Sequence, residues 1–137
     1  MKGFSLIVAT LLLGFLGITC LLQSQEKGTP AQGKYPYDPA KQVTLTGKIQ
    51  EIKDYHCAVS GTLGSHFSLK AEGETLEVHL APVNFMKDYE IKFRAGEEAK
   101  VIGVKIEFEG KPALMARTVV VGNDTFVFRD EKGRPLW

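Results

Sequence analysis

Four side chains in this sequence carry chemistry beyond packing and solvation: Cys57, His56, His66 and His79. Imidazole and thiolate are good ligands for zinc or copper, and three or four of them brought together make a metal site. No compact two-ligand spacing such as C-x-x-C supports such a site, so the fold must assemble it. The competing reading is an exposed histidine pair on a hydrated sheet face beside an incidental thiol. Catalytic signatures are missing: the chain has no G-x-S-x-G, no H-E-x-x-H and no phosphate-cradling glycine loop. The sequence therefore reads as non-catalytic.

The elements that position these residues show in the hydrophobic periodicity. Val43, Leu45, Gly47 and Ile49 alternate with polar residues, which marks a half-buried strand. Parity breaks before Ile52, so a bulge is expected near Gln50-Glu51, and Gly47 allows strong coiling. Asp54 to Ser65 has no alternation and is expected as a long first loop carrying Tyr55, His56 and Cys57. Phe67, Leu69 and Ala71, then Leu76, Val78 and Leu80, alternate on either side of Glu72-Gly73 and read as a hairpin. Pro82 starts a short helical segment. Ile102 to Phe108 and Ala113 to Val121 are two further strands, and Gly122-Asn123 turns the chain into a final short one. Leu45, Leu69, Val78, Val104 and Ile106 are expected to face the interior.

Strand parity makes a geometric statement. If Phe67 and Leu69 share the core face with Leu76, Val78 and Leu80, then His66, Ser68, Lys70, Glu77 and His79 lie on the opposite face. A two-residue turn at Glu72-Gly73 sets His66 directly opposite His79, with Cβ atoms about 4.5 to 5.5 Å apart.

The order of elements is that of an all-β, small OB-like five-stranded Greek-key barrel, with a short helix between strands three and four and an extra C-terminal strand. A small antiparallel sandwich is the runner-up. The steps Val43-Thr44-Leu45-Thr46-Gly47-Lys48-Ile49, Leu76-Glu77-Val78-His79-Leu80 and Ala95-Gly96-Glu97-Glu98-Ala99-Lys100-Val101-Ile102-Gly103 resemble those of exported bacterial OB-fold (BOF) proteins. These are small, periplasmic, single-domain proteins, some linked to stress responses. The resemblance spans Gln42 to Val121 and implies the barrel and a periplasmic setting. The longer first loop, extra strand and tail depart from it.

In OB folds the face of strands two and three, with the loop before them, is the usual binding surface. The ligand-binding candidates are therefore Tyr55, His56, Lys70 and Glu77, and the metal candidates His66, His79 and Cys57, for zinc or copper. The partner is an unidentified small ligand or protein. Nucleic acid is a weaker alternative, with Tyr55 and Lys70 beside Lys105 or Lys111. Removing Lys2 with a leader balances the 17 basic residues against the 16 acidic ones, so the domain lacks the basic excess of a nucleic-acid coat.

The compartment is read from the N-terminus. Lys2 precedes an apolar run from Phe4 to Leu22, the pattern of a secretory signal peptide cleaved after Ser24. The expected product is exported, periplasmic or secreted. Two alternatives stay open: an uncleaved anchor, since roughly 18 to 20 apolar residues span a bilayer, and a lipoprotein acylated at Cys20. In either case the membrane is engaged only through the leader. The expected divisions are 1-24 signal peptide, 25-41 flexible linker, 42-129 barrel and 130-137 polar tail.

Overall fold

The structure is a computed structural model that describes residues 34–137. The leader, its cleavage site and Cys20 lie outside the described residues. Among the described residues six strands form one sheet: β1 (Gln42–Cys57), β2 (Thr62–Ala71), β3 (Glu74–Pro82), β4 (Glu98–Phe108), β5 (Lys111–Val121) and β6 (Asp124–Val127). One helix, α1 (Val83–Asp88), lies between β3 and β4. The order is β3-β2-β1-β4-β5-β6, and parallel pairing of β3 with β5 closes the ring. This is the expected OB-like barrel, with β6 added along β5. Among the described residues no helix is long and apolar enough to cross a membrane.

Closure depends on the first strand. β1 pairs with β4 through Lys48 and with β2 from Lys48 onward, so it must coil sharply where it changes partner. Gly47 sits at that crossing, where a Cβ would overlap the carbonyl oxygen of Lys70. The expected bulge follows, between Ile49 and Glu51.

Two hairpins share one turn chemistry. Glu72 and Gly73 have φ of 51° and 81°, as do Glu109 and Gly110 at 49° and 76°. Such two-residue turns with both φ positive match the right-handed twist of the flanking strands. Ala71 therefore faces Glu74, and the register runs back to place His66 opposite His79.

The interior holds Leu45, Ile49, Phe67, Leu69, Leu76, Val78, Val101, Leu114, Val119 and Phe128. Val104 and Ile106, expected there, pack instead with Tyr37 and Met115 on the outside of the barrel. Their alternation is real, but Ala99 and Val101 take the interior, which turns the 102-104-106-108 row outward. A third cluster, Cys57, Phe108 and Ala113, continues this outer layer, with Tyr35, Tyr55 and Val59 against it.

Both expected chain ends are more structured than their composition suggests. Tyr37 is buried, and its hydroxyl donates to Gln42 Oε1 at 2.8 Å, so the last part of the expected linker belongs to the packed domain. In the expected polar tail, Asp130 accepts from Arg134 and Lys132, and the Leu136 N–H donates to the Phe128 carbonyl. The Arg129 guanidinium lies 5.9 Å from the Tyr37 ring and 5.0 Å from the Trp137 ring. One cation thus fastens the tail to the N-terminal segment.

Candidate metal centre

Three candidate ligand atoms from three strands converge within the outer layer. Cys57 ends β1, His66 lies in β2 and His79 in β3, and their donor atoms all fall within 4.8 Å of one another. Cys57 Sγ is 3.2 Å from His66 Nε2 and 3.8 Å from His79 Nδ1. The imidazole rings meet edge to face with centroids 4.6 Å apart.

The predicted pairing of the histidines holds, but their expected solvent exposure does not. Each is 1% exposed. Parity sets which residues share a face, not what covers it. Here the Tyr55 ring stacks on His66 at 4.0 Å, and Phe108 packs against His79 at 4.4 Å.

The expected first loop is mostly strand. Pairing with β2 carries β1 as far as Cys57, opposite Thr62, and only residues 58–61 turn the chain. Backbone pairing extends this strand, and the hydrophobic pattern does not record it. Alternation then turns Tyr55 and Cys57 inward and leaves His56 exposed on the other side. His56 does not join the cluster. Lys70 is also exposed, at the turn end of the hairpin opposite Thr75, and stands apart from the site.

Each imidazole points one nitrogen at the sulfur and the other at an oxygen. His66 Nδ1 is 3.3 Å from the Lys53 carbonyl. His79 Nε2 is 3.4 Å from Glu77 Oε1, yet this contact falls short of hydrogen-bond geometry and leaves that nitrogen unpartnered. Glu77 in turn accepts a hydrogen bond from the Tyr55 hydroxyl. Histidines that bind metal characteristically face a carbonyl or carboxylate through their other nitrogen, which fixes the tautomer.

The electrostatics follow from this packing. Burial alone would raise the Cys57 thiol, but contacts from His66, His79 and Ser60 outweigh it and bring the pKa down to about 5. Burial, then the Glu77 carboxylate that accepts its hydrogen bond, push the Tyr55 phenol well above its ordinary value. No sequence signal assigns Ser60 or Phe108 to this site. Ser60 sits in a featureless stretch, and Phe108 ends a row that reads as core.

Beside the centre, Lys53, Tyr55, Ser68, Glu77, Phe108 and Lys111 line an open cleft of about 600 Å³. Its lining takes Ser68 from β2 and Thr75 and Glu77 from β3, and the rest from β1 and from the end of β4 through the start of β5.

Residues 41–126 match the model of the MamS/MamX magnetosome protein family. The chain belongs to that family. A curated relative, magnetosome protein MamS of Magnetospirillum gryphiswaldense, is 26% identical over 108 residues, which is 77% of this chain and 59% of the relative. This family member thus spans somewhat over half the length of that relative. Among solved structures, the S. pombe Stn1-Ten1 complex aligns with a TM-score of 0.47 and 18% identity, covering 61% of this chain and 59% of that one. The N-terminal domain of PriB from Thermoanaerobacter tencongensis aligns at 0.43 and 19%, covering 62% and 99%. The barrel expected from the exported OB-fold resemblance is present, while the matching family is MamS/MamX.

Proposed function

We propose that this MamS/MamX-family chain is a non-catalytic, exported OB-fold module that holds one transition-metal ion between Cys57, His66 and His79. The convergence of three donor atoms within 4.8 Å of one another carries the reading. The outer nitrogens of the two imidazoles face oxygens, the carbonyl of Lys53 and the carboxylate of Glu77. The inner nitrogens both face the Cys57 sulfur, so all three donor atoms border one space. A metal cation in that space would be held by one thiolate and two imidazoles at once.

The test is metal uptake by the full chain carrying Cys20→Ser, so that Cys57 is its only thiol. Zinc or copper is expected to bind at one ion per chain, and Cys57→Ser or His79→Ala to abolish that stoichiometry. Glu77→Gln, which weakens the acceptor behind His79, is expected to cost about 10- to 100-fold in affinity. Equal uptake by wild type and the Cys57 variant would reject the centre.

A nucleic-acid role has less support. A base-stacking platform needs an exposed ring, whereas Tyr55 is covered on one face by His66 and held by Glu77.

The apolar leader supports work outside the cytoplasm, and the magnetosome family match supports a membrane-associated setting. N-terminal sequencing of the native protein is expected to read from near Gln25. A start at Met1 would indicate an anchor instead, and a cytoplasmic pool would reject export.

A further inference from the structure

We infer that the ion is copper and that the centre is a one-electron relay, an inference that rests on the metal-centre reading above. Structural zinc takes four nitrogen or sulfur donors in a tetrahedron. Here the donors are one sulfur and two imidazoles, and among the described residues no further His, Cys, Asp or Glu joins them. Glu77 is directed at the far nitrogen of His79 and at the Tyr55 hydroxyl, which removes it as a fourth ligand. The remaining polar side chain at the sulfur is the neutral Ser60 hydroxyl, 3.2 Å away. Two imidazoles and a thiolate with only a weak fourth donor is the ligand set of copper electron-transfer sites.

The surroundings suit that role. Copper(I) and copper(II) prefer different geometries, so an electron moves readily only where the ligands are kept from rearranging. Both imidazoles are buried, one under the Tyr55 ring and one against Phe108, and their outer nitrogens face oxygens on β1 and β3. The stack of Tyr55 on His66 also joins a buried ligand to the open cleft, because Tyr55 lines its wall. A one-electron carrier protein docked there would sit one ring away from a ligand. In the redox step copper(II) takes one electron from the reduced carrier and becomes copper(I). An oxidised carrier removes that electron again. No bond to the protein breaks and no proton has to move.

Raw preference for copper over zinc proves nothing, since nearly every nitrogen and sulfur site shows it. The readout is therefore spectroscopic. The full chain carrying Cys20→Ser is loaded with one equivalent of copper(II) without oxygen. An intense visible band from thiolate-to-copper charge transfer is expected, bleached by ascorbate and restored by ferricyanide over repeated cycles. Cys57→Ser is expected to lose the band, while circular dichroism shows it still folded. A copper(II) complex without that band overturns the inference. So does a band that fades with loss of titratable thiol, which would mean that the cysteine, not the metal, is oxidised. If zinc binds through Cys57, His66 and His79 but copper gives no such band, the copper relay fails and the metal centre stands. If neither metal binds, both fail.

Discussion

Metal-free protein is expected to melt far below the metal-loaded form. The ligands lie on three strands and are separated by 9 and 13 positions in sequence, from Cys57 to His66 and from His66 to His79. The site exists only when β1, β2 and β3 are assembled, so binding free energy becomes folding free energy. With free metal about a thousandfold above its dissociation constant, the stabilisation is about 4 kcal/mol. For a domain of this size each kcal/mol moves the midpoint by roughly 4 to 8 °C, so a rise of roughly 15 to 30 °C is expected by calorimetry. Replacing both histidines by leucine keeps the pocket filled and removes two ligands, and the rise should vanish. If zinc and copper(II) shift that double variant as far as they shift wild type, the metal binds elsewhere.

The pairing behind this result is legible in the sequence. Alternation on both sides of Glu72-Gly73 sets His66 opposite His79 if the turn has two residues, where three would offset the pair, and the structure has the two-residue turn. The bulge and the coiling at Gly47 were legible in the same way, from a break in parity and a residue without a side chain. Burial of the pair was not. It depends on what lies over the outer face of the hairpin, and the cover comes from distant places. Tyr35 belongs to a segment whose Gly, Pro and Lys content reads as tether, and Phe108 ends β4. Cys57 reached the histidines because β1 runs further than its apolar pattern. Glu77 was readable as a residue on the ligand-facing side, but its position behind His79 is a matter of side-chain direction, which periodicity does not encode.

Neighbouring residues on β2 give the second large effect, with opposite signatures. Phe67 is fully buried in the barrel interior, where it meets Phe93 edge to face with ring centroids 5.3 Å apart. Phe67→Ala is expected to cost about 3 to 5 kcal/mol, from lost transfer energy and the cavity left behind. That is a large share of the roughly 5 to 15 kcal/mol that stabilises a typical domain. His66, one residue away, faces the other side of the same strand. In the metal-free protein His66→Leu fills similar space and removes a buried nitrogen pair that needs partners. Replacing such a group by an apolar one of similar volume is often neutral or stabilising. Urea denaturation with and without metal separates the two roles. Phe67→Ala should unfold at lower urea but keep its metal-dependent gain, and the milder Phe67→Leu should do the same if the alanine variant does not fold. His66→Leu should hold its metal-free midpoint and lose the gain. Equal losses from His66→Leu and Phe67→Leu without metal would mean that the histidine is packing. A histidine that weakens the empty protein and strengthens the loaded one is kept for what it binds.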